Sequence, residues 1–217
     1  MIKIKSPHFY WNKYFVSPFS NQKYFISYDF KRKIIWYRVF KVATRSINDR
    51  LGSNGKNPNY LYSSEVGYIP SMYKDYFKFA FVRNPEERFI SAWKDKVLRQ
   101  NYFDFDPKQH DEMKILENFV NHVYKMDIWK CDEHLRCQCS LIDIENADFI
   151  GRFENFENDF SKVAEKVNLD KYVINHLNST KPKPIDITID IRKKIYKIYK
   201  QDFDQFYPAE GKEINTL

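Results

Sequence analysis

The stretch Phe79–Lys96, FAFVRNPEERFISAWKDK, leaves this chain the least conformational choice. Phe79, Ala80, Phe81 and Val82 form a continuous apolar run of strand length, which suits a strand buried on both faces. Arg83 ends the run. Asn84 then stands where a helix N-cap belongs, Pro85 fits the first helical position, and Glu87 lies three residues after the cap. The pattern predicts a buried strand that feeds at once into a helix, with Arg83 beside the positive end of the helix dipole. An anion is stabilised at such a place. Ser91 follows Arg88 by three positions, so one helix face presents both. A purely structural reading uses the same residues, with Phe89, Trp93 and Val97 facing the core and Arg83 in a salt bridge.

A second turn of this kind lies upstream. Ile34–Val39 is a largely apolar run suited to a buried strand, and Lys41–Ser46 leads into a helical pattern that continues towards Leu51. In open α/β sheets, ligands bind outside the carboxyl ends of the strands. Lys41, Thr44, Arg45, Ser46 and the N–H groups of a new helix are the parts that a strongly anionic ligand uses. The pattern GxxxxGK[ST] is absent, and no glycine lies between Asp29 and Arg50. An ordinary P-loop kinase or ATPase is thereby disfavoured.

Elsewhere the elements are plainer. Residues 1–30 are aromatic and basic and read as short strands or an arm packed on the main domain. GSNGKNP (52–58) is a loop by composition, Asn59–Ser63 a short strand, and Pro70–Tyr76 a short helix. Helices are predicted within Asn118–Lys125 and Glu154–Val167, with a last one over Thr188–Phe203. Between the last two, His176–Pro184 is a basic loop broken by prolines.

The chain has 36 basic and 29 acidic residues among 217, a net charge of +7. That excess favours an anionic partner: a nucleotide, an acidic glycan, nucleic acid or a membrane surface. Helix-turn-helix, RNA-binding aromatic and zinc-finger signatures are missing, so nucleic acid finds no support. No signal-peptide core and no run of about 18 apolar residues is present, which leads us to expect a soluble, cytoplasmic protein. Cys131, Cys137 and Cys139 are odd in number and read as free thiols. The spacing Cys131-x2-His134-x2-Cys137-x-Cys139 matches no common structural zinc pattern, and no metal is expected.

Five segments, in order, carry a resemblance. Lys41-Val42-Ala43-Thr44-Arg45-Ser46 resembles the 5′-phosphosulfate loop of sulfotransferases that use 3′-phosphoadenosine 5′-phosphosulfate (PAPS), and FAFVRNPEERFISAWKDK resembles their 3′-phosphate motif. Asp132-Glu133-His134 with Gln138 resembles the D-x-H…Q segment of the carbohydrate branch, which comprises chondroitin-type Golgi enzymes and bacterial relatives. Asp148–Phe156, DFIGRFENF, and Tyr199–Tyr207, YKQDFDQFY, resemble that branch's "DFIGKFEN" and closing "Y..DF..F.Y" segments. The chain departs from the pattern at Phe40, where relatives usually carry proline, at Arg45, commonly threonine, and at Asn84, usually aspartate.

The resemblance implies an α/β fold of three layers, with a mainly parallel central sheet flanked by helices. It implies a single sulfotransferase domain over 1–217, with 1–30 as an N-terminal extension. It also implies sulfuryl transfer from PAPS to a hydroxyl of a carbohydrate or glycoconjugate, releasing adenosine 3′,5′-bisphosphate. Lys41 would neutralise the leaving phosphate, and Val42, Ala43, Thr44, Arg45 and Ser46 would hold the 5′ end. Arg83 and Ser91 would hold the 3′-phosphate, while Asn178, Ser179 and Lys181 would belong to a loop that closes over the donor. His134 is the first candidate base and Glu65, expected in a loop, is its rival. The alternative is a noncatalytic basic α/β protein that binds nucleic acid or an anionic glycan, with Arg83 structural.

Overall fold

The computed structural model describes residues 7–52, 59–169 and 187–216. They divide between two compact units, delimited by Met1–Val39, Ala43–Phe81 and Leu141–Leu177 for the first and by Phe40–Val42, Val82–Ser140 and Asn178–Leu217 for the second.

The first unit is built on a five-stranded sheet. Its strands are β1 (Lys23–Asp29), β2 (Ile34–Tyr37), β3 (Tyr60–Gly67), β4 (Phe77–Val82) and β5 (Phe149–Arg152), in spatial order β3-β1-β2-β4-β5. A tight turn joins β1 to β2. Asp29 Oδ1 accepts from the N–H groups of Lys31 and Arg32 at 3.1 and 3.0 Å, and Lys33 takes φ 54° to close the turn. β1 is antiparallel to both β2 and β3, whereas β2 and β4 run parallel in the register Ile34↔Phe77 to Tyr37↔Ala80. The α/β class expected from the sequence is therefore observed, in a mixed sheet. Its antiparallel half arises because Lys23–Asp29, read from sequence as part of an extension, is an interior strand. Likewise Glu65, expected in a loop, is an exposed residue of β3, paired in register with Phe25.

Alternation sorts the strand residues between two faces. Trp36 stacks on Phe79 at 6.4 Å, and Phe81 meets Phe156 and Phe160 of α6 (Phe156–Lys166) at 5.2 and 6.3 Å. Arg50 of α2 (Thr44–Leu51) joins this face, its guanidinium 4.8 Å from both α6 rings and 2.8 Å from Glu157. The other face is tyrosine-rich, with Tyr37 edge-on to Tyr24 at 5.6 Å and to Tyr68 at 5.7 Å. Burial lifts the phenols of Tyr24, Tyr28 and Tyr37 far above their ordinary range. They stay protonated, as hydroxyl donors in an apolar layer. Each fully buried aromatic ring stabilises the fold by about 1.5–3 kcal/mol.

The second unit is helical. α3 (Pro85–Trp93) runs into a π-helical turn, Lys94–Leu98, and is followed by α4 (Pro107–Met113) and α5 (Leu116–Val123). α7 (Ile189–Ile198), α8 (Lys200–Phe206) and α9 (Pro208–Thr216) complete it. Phe89 is the hub, 5.5 Å from Phe119 and 6.0 Å from Tyr199. The single helix expected over Thr188–Phe203 is broken at Tyr199, whose φ of −110° and ψ of 27° leave the helical region. The break has a cause: Tyr199 is buried, and its hydroxyl donates to Leu135 O at 2.7 Å. Among the described residues, no helix is long and apolar enough to cross a membrane.

Candidate active site

Three segments, one carrying Arg83 and Arg88, one Lys41 and one His134, are linked through Arg88 and Phe40. The first is the start of α3. The Asn84 side chain accepts from the N–H groups of Glu86 and Glu87 at 3.0 and 3.3 Å, so the predicted cap is the observed one. Arg83 directly precedes this cap. Its guanidinium donates to Glu87 at 3.0 Å, but the pair is one-sided: the Arg83 side chain is 7% exposed and that of Glu87 55%. A buried cation whose partner carboxylate stands in water is suited to exchanging that partner for an incoming anion.

The backbone of Arg83 is held independently of its side chain. Arg83 N–H donates to Gln138 Oε1 and Gln138 Nε2 donates back to Arg83 O, both at 2.9 Å. Gln138 is itself fully buried, and its N–H, with that of Cys139, donates to Asp202 of α8 at 2.8 and 2.9 Å. Burial pushes the Asp202 carboxyl above the ordinary carboxylate range, although these N–H donors and the Arg88 charge pull it back. Gln138 and Asp202 were legible in the sequence only as parts of matching segments. Their physical task is to hold Arg83 at the end of β4.

The second segment is Phe40–Ala43. Lys41 and Ala43 take positive φ values of 68° and 61°, while Val42 between them does not. Left-handed conformations cost a non-glycine residue about 1–2 kcal/mol each. Alternating backbone hand turns successive N–H groups towards one side, the arrangement of an anion-binding nest. Here lysine and alanine take the left-handed conformation that glycine usually supplies. Arg88 secures the entrance: 1% exposed, it donates through Nε to Phe40 O at 2.9 Å and through Nη2 to Glu133 O at 3.2 Å. Lys41 Nζ pairs with Asp95 at 2.9 Å, on the π-helical turn after α3. Burial pushes the Asp95 carboxyl up, but the Lys41 hydrogen bond and charge, with Lys96 and Arg99, outweigh it and hold the group below its ordinary value.

The third segment carries His134. Its ring lies 4.9 Å from that of Phe40 and 4.9 Å from that of Tyr102. Its Nδ1 and its backbone N–H each lie 2.9 Å from Asp132 Oδ1. Burial raises the Asp132 carboxyl, the two His134 hydrogen bonds lower it further, and the net value is below the ordinary one. An ionised Asp132 accepts a proton-bearing Nδ1, which leaves Nε2 as the basic nitrogen of the neutral ring. Phe40 therefore bridges the lysine loop and the histidine. Arg88 makes the same connection through backbone carbonyls. No signal in the sequence singled out Arg88 for this role.

The remaining candidates are distributed as follows. Ser91 is half-buried, one turn beyond Arg88 on α3. Val42 is buried. Thr44, Arg45 and Ser46 open α2 on the first unit, where Thr44 Oγ1 donates to Val39 O at 3.0 Å. Their N–H groups belong to a helix's first turn and have no intrahelical carbonyl. Glu65 lies on β3 of the first unit. Asn178, Ser179 and Lys181 fall outside the described residues. Among the described residues, the grouping of potential metal ligands is Asp132, Glu133 and His134, with no cysteine in it. Burial raises the thiols of Cys131 and Cys137 to about 11 and that of Cys139 higher still. An open hollow of about 390 Å³ lies beside Asp132, lined by Phe103, Met126, Lys130 and Leu135 among others.

Comparison with known proteins gives one family. A model of the sulfotransferase family matches residues 22–208 of the chain. No curated protein matches, and no solved structure matches.

Proposed function

The chain belongs to the sulfotransferase family, and on that premise we propose that it transfers a sulfuryl group from PAPS to a hydroxyl of a carbohydrate or glycoconjugate. The observation that carries the reading is the buried Arg83 at the end of β4, its backbone braced by Gln138 and Asp202 and its guanidinium balanced by an exposed carboxylate. A second phosphate, the 3′ one, is what separates this donor from ATP or AMP, and Arg83 with Ser91 is suited to holding it. Within the second unit the residues present fit the donor: the turn at Lys41, with its positive φ, and two cations, Lys41 and Arg83.

Bound PAPS supplies an activated sulfuryl group and a stable leaving phosphate, so the protein has little covalent work to do. Lys41 contributes a mobile point charge that neutralises the leaving oxygen as negative charge builds there. Asp95 keeps that ammonium in place beforehand. His134, oriented by Asp132, takes the proton of the acceptor hydroxyl at Nε2. Arg88, through Phe40 O and Glu133 O, keeps lysine and histidine in register. The hollow beside Asp132 is the place we assign to the acceptor, with Lys130 at its rim suited to an acidic sugar.

The test is transfer of labelled sulfate from PAPS into a panel of glycans and glycolipids. Incorporation that disappears in the Lys41→Ala protein supports the reading. Incorporation into no acceptor, by a protein that also fails to bind adenosine 3′,5′-bisphosphate, overturns it.

A further inference from the structure

Residues 7–19 form an arm that is anchored through Asn12, Val16 and Ser17. α1 (Pro7–Trp11) continues as a π-helical turn, Asn12–Val16, and a 3-10 turn, Ser17–Phe19. Asn12 and Val16, four residues apart, are buried. Asn12 Nδ2 donates to Gly67 O at 2.7 Å, Ser17 Oγ donates to Asn12 Oδ1 at 3.1 Å, and Gly67 N–H donates to Ser17 Oγ at 3.2 Å. A Cβ at Gly67 would lie 2.6 Å from Ser17 Cα, so the close approach of arm and strand requires glycine there. The arm is thus fixed to the end of β3 by specific bonds.

Its other side is aromatic. Tyr10, Trp11, Tyr14, Phe15 and Phe19 are between 44% and 78% exposed. Trp11 stacks on Phe15 at 4.7 Å and Tyr10 on Tyr14 at 6.5 Å. So many large rings held in water on a fixed support mark an interaction surface. Charge supplies an independent second observation. Lys3, Lys5, Lys13 and Lys23 precede the first acidic residue of the chain, Asp29. Lys13 and Lys23 are exposed, and Lys13 Nζ lies 5.2 Å from the Tyr14 ring.

We propose that this arm seats the protein on an anionic lipid surface. Tyrosine and tryptophan rings partition to the headgroup level of a bilayer, with a polar edge in water and an apolar body beneath, and phenylalanine rings enter the apolar boundary below. Lysines beside them gain from the negative surface potential of anionic lipids. A second copy of the chain is a poorer occupant, because a two-fold contact would oppose lysine-rich segments that contain no acid. The inference does not depend on the proposed chemistry.

Co-sedimentation with phosphatidylcholine vesicles, with and without phosphatidylserine, tests it. The intact protein is expected to pellet with the anionic vesicles at least tenfold more strongly than with the neutral ones. Trp11→Ser combined with Phe15→Ser should abolish this at unchanged melting temperature, and Lys13→Gln should weaken it about fivefold. No association with anionic vesicles overturns the proposal, as does association that the double variant retains. Dimerisation in solution that the same two substitutions abolish assigns the face to a second copy and overturns it too. Preferential binding to a soluble sulfated glycan, with no partition to vesicles, does the same.

Discussion

Arg83 and Lys41 differ in how they are held, and the difference predicts how each variant will fail. Arg83 is buried, with its backbone clamped by Gln138. A charge-assisted hydrogen bond contributes about 1.5–3 kcal/mol, so Arg83→Ala should weaken adenosine 3′,5′-bisphosphate binding about ten- to hundredfold. Calorimetric titration reads this, and wild-type affinity in the variant refutes the 3′-phosphate role. Lys41 is partly exposed and paired to Asp95. Lys41→Ala should cost about 10²–10³ in kcat, as loss of a preorganised donor to developing charge does, with a smaller change in donor affinity. Single-turnover transfer separates the two, and unchanged turnover removes Lys41 from the chemistry. Asp132 gives a pH signature. Its folded pKa lies below the ordinary value, so its contribution to stability is complete above the ordinary carboxylate pKa and is lost as pH falls through the folded value. Below about pH 4, melting temperature should therefore fall less steeply in Asp132→Asn than in the wild type. Parallel curves would show that the His134–Asp132 pair contributes nothing.

At the scale of elements, the turn from β4 into α3 was legible because every signal in it is local. The apolar run, the Asn84 cap and Pro85 lie within a dozen residues and do what their types dictate, while the Glu87 carboxylate accepts from the Arg83 guanidinium. The Lys41 turn was legible as a strand followed by a helix, but its backbone was not. Left-handed lysine and alanine have no local sequence signature, since glycine is the usual marker of that conformation. The brace behind Arg83 was illegible for a different reason. Asp202 reaches Gln138 across 64 positions, and only tertiary packing brings them together. Asp202→Ala should therefore act at a distance. It leaves the N–H groups of Gln138 and Cys139 without their acceptor, at about 1–3 kcal/mol per unsatisfied group. Melting temperature should fall by about 2–4 °C per kcal/mol for a chain of this size, and donor affinity should fall with it. A stable protein with unchanged affinity would show that the brace is dispensable.

For the whole molecule, composition fixed only the sign of the partner. The α/β class followed from two strand-to-helix turns, and family membership rests on a match that spans residues 22–208. The antiparallel half of the sheet was hidden because Lys23–Asp29 lies in an aromatic, basic segment that reads equally as short strands or as an arm. The break at Tyr199 was hidden because apolar periodicity runs straight through it, while the cause, a bond to Leu135, is remote in sequence. Whether the molecule recognises adenosine 3′,5′-bisphosphate decides the proposed donor site. Calorimetric titration with adenosine 3′,5′-bisphosphate and with adenosine 5′-monophosphate, side by side, measures this directly. The bisphosphate is expected to bind at least tenfold more tightly, and Arg83→Ala to erase the difference. Equal affinity for the two nucleotides in the wild-type protein would refute the 3′-phosphate role of Arg83.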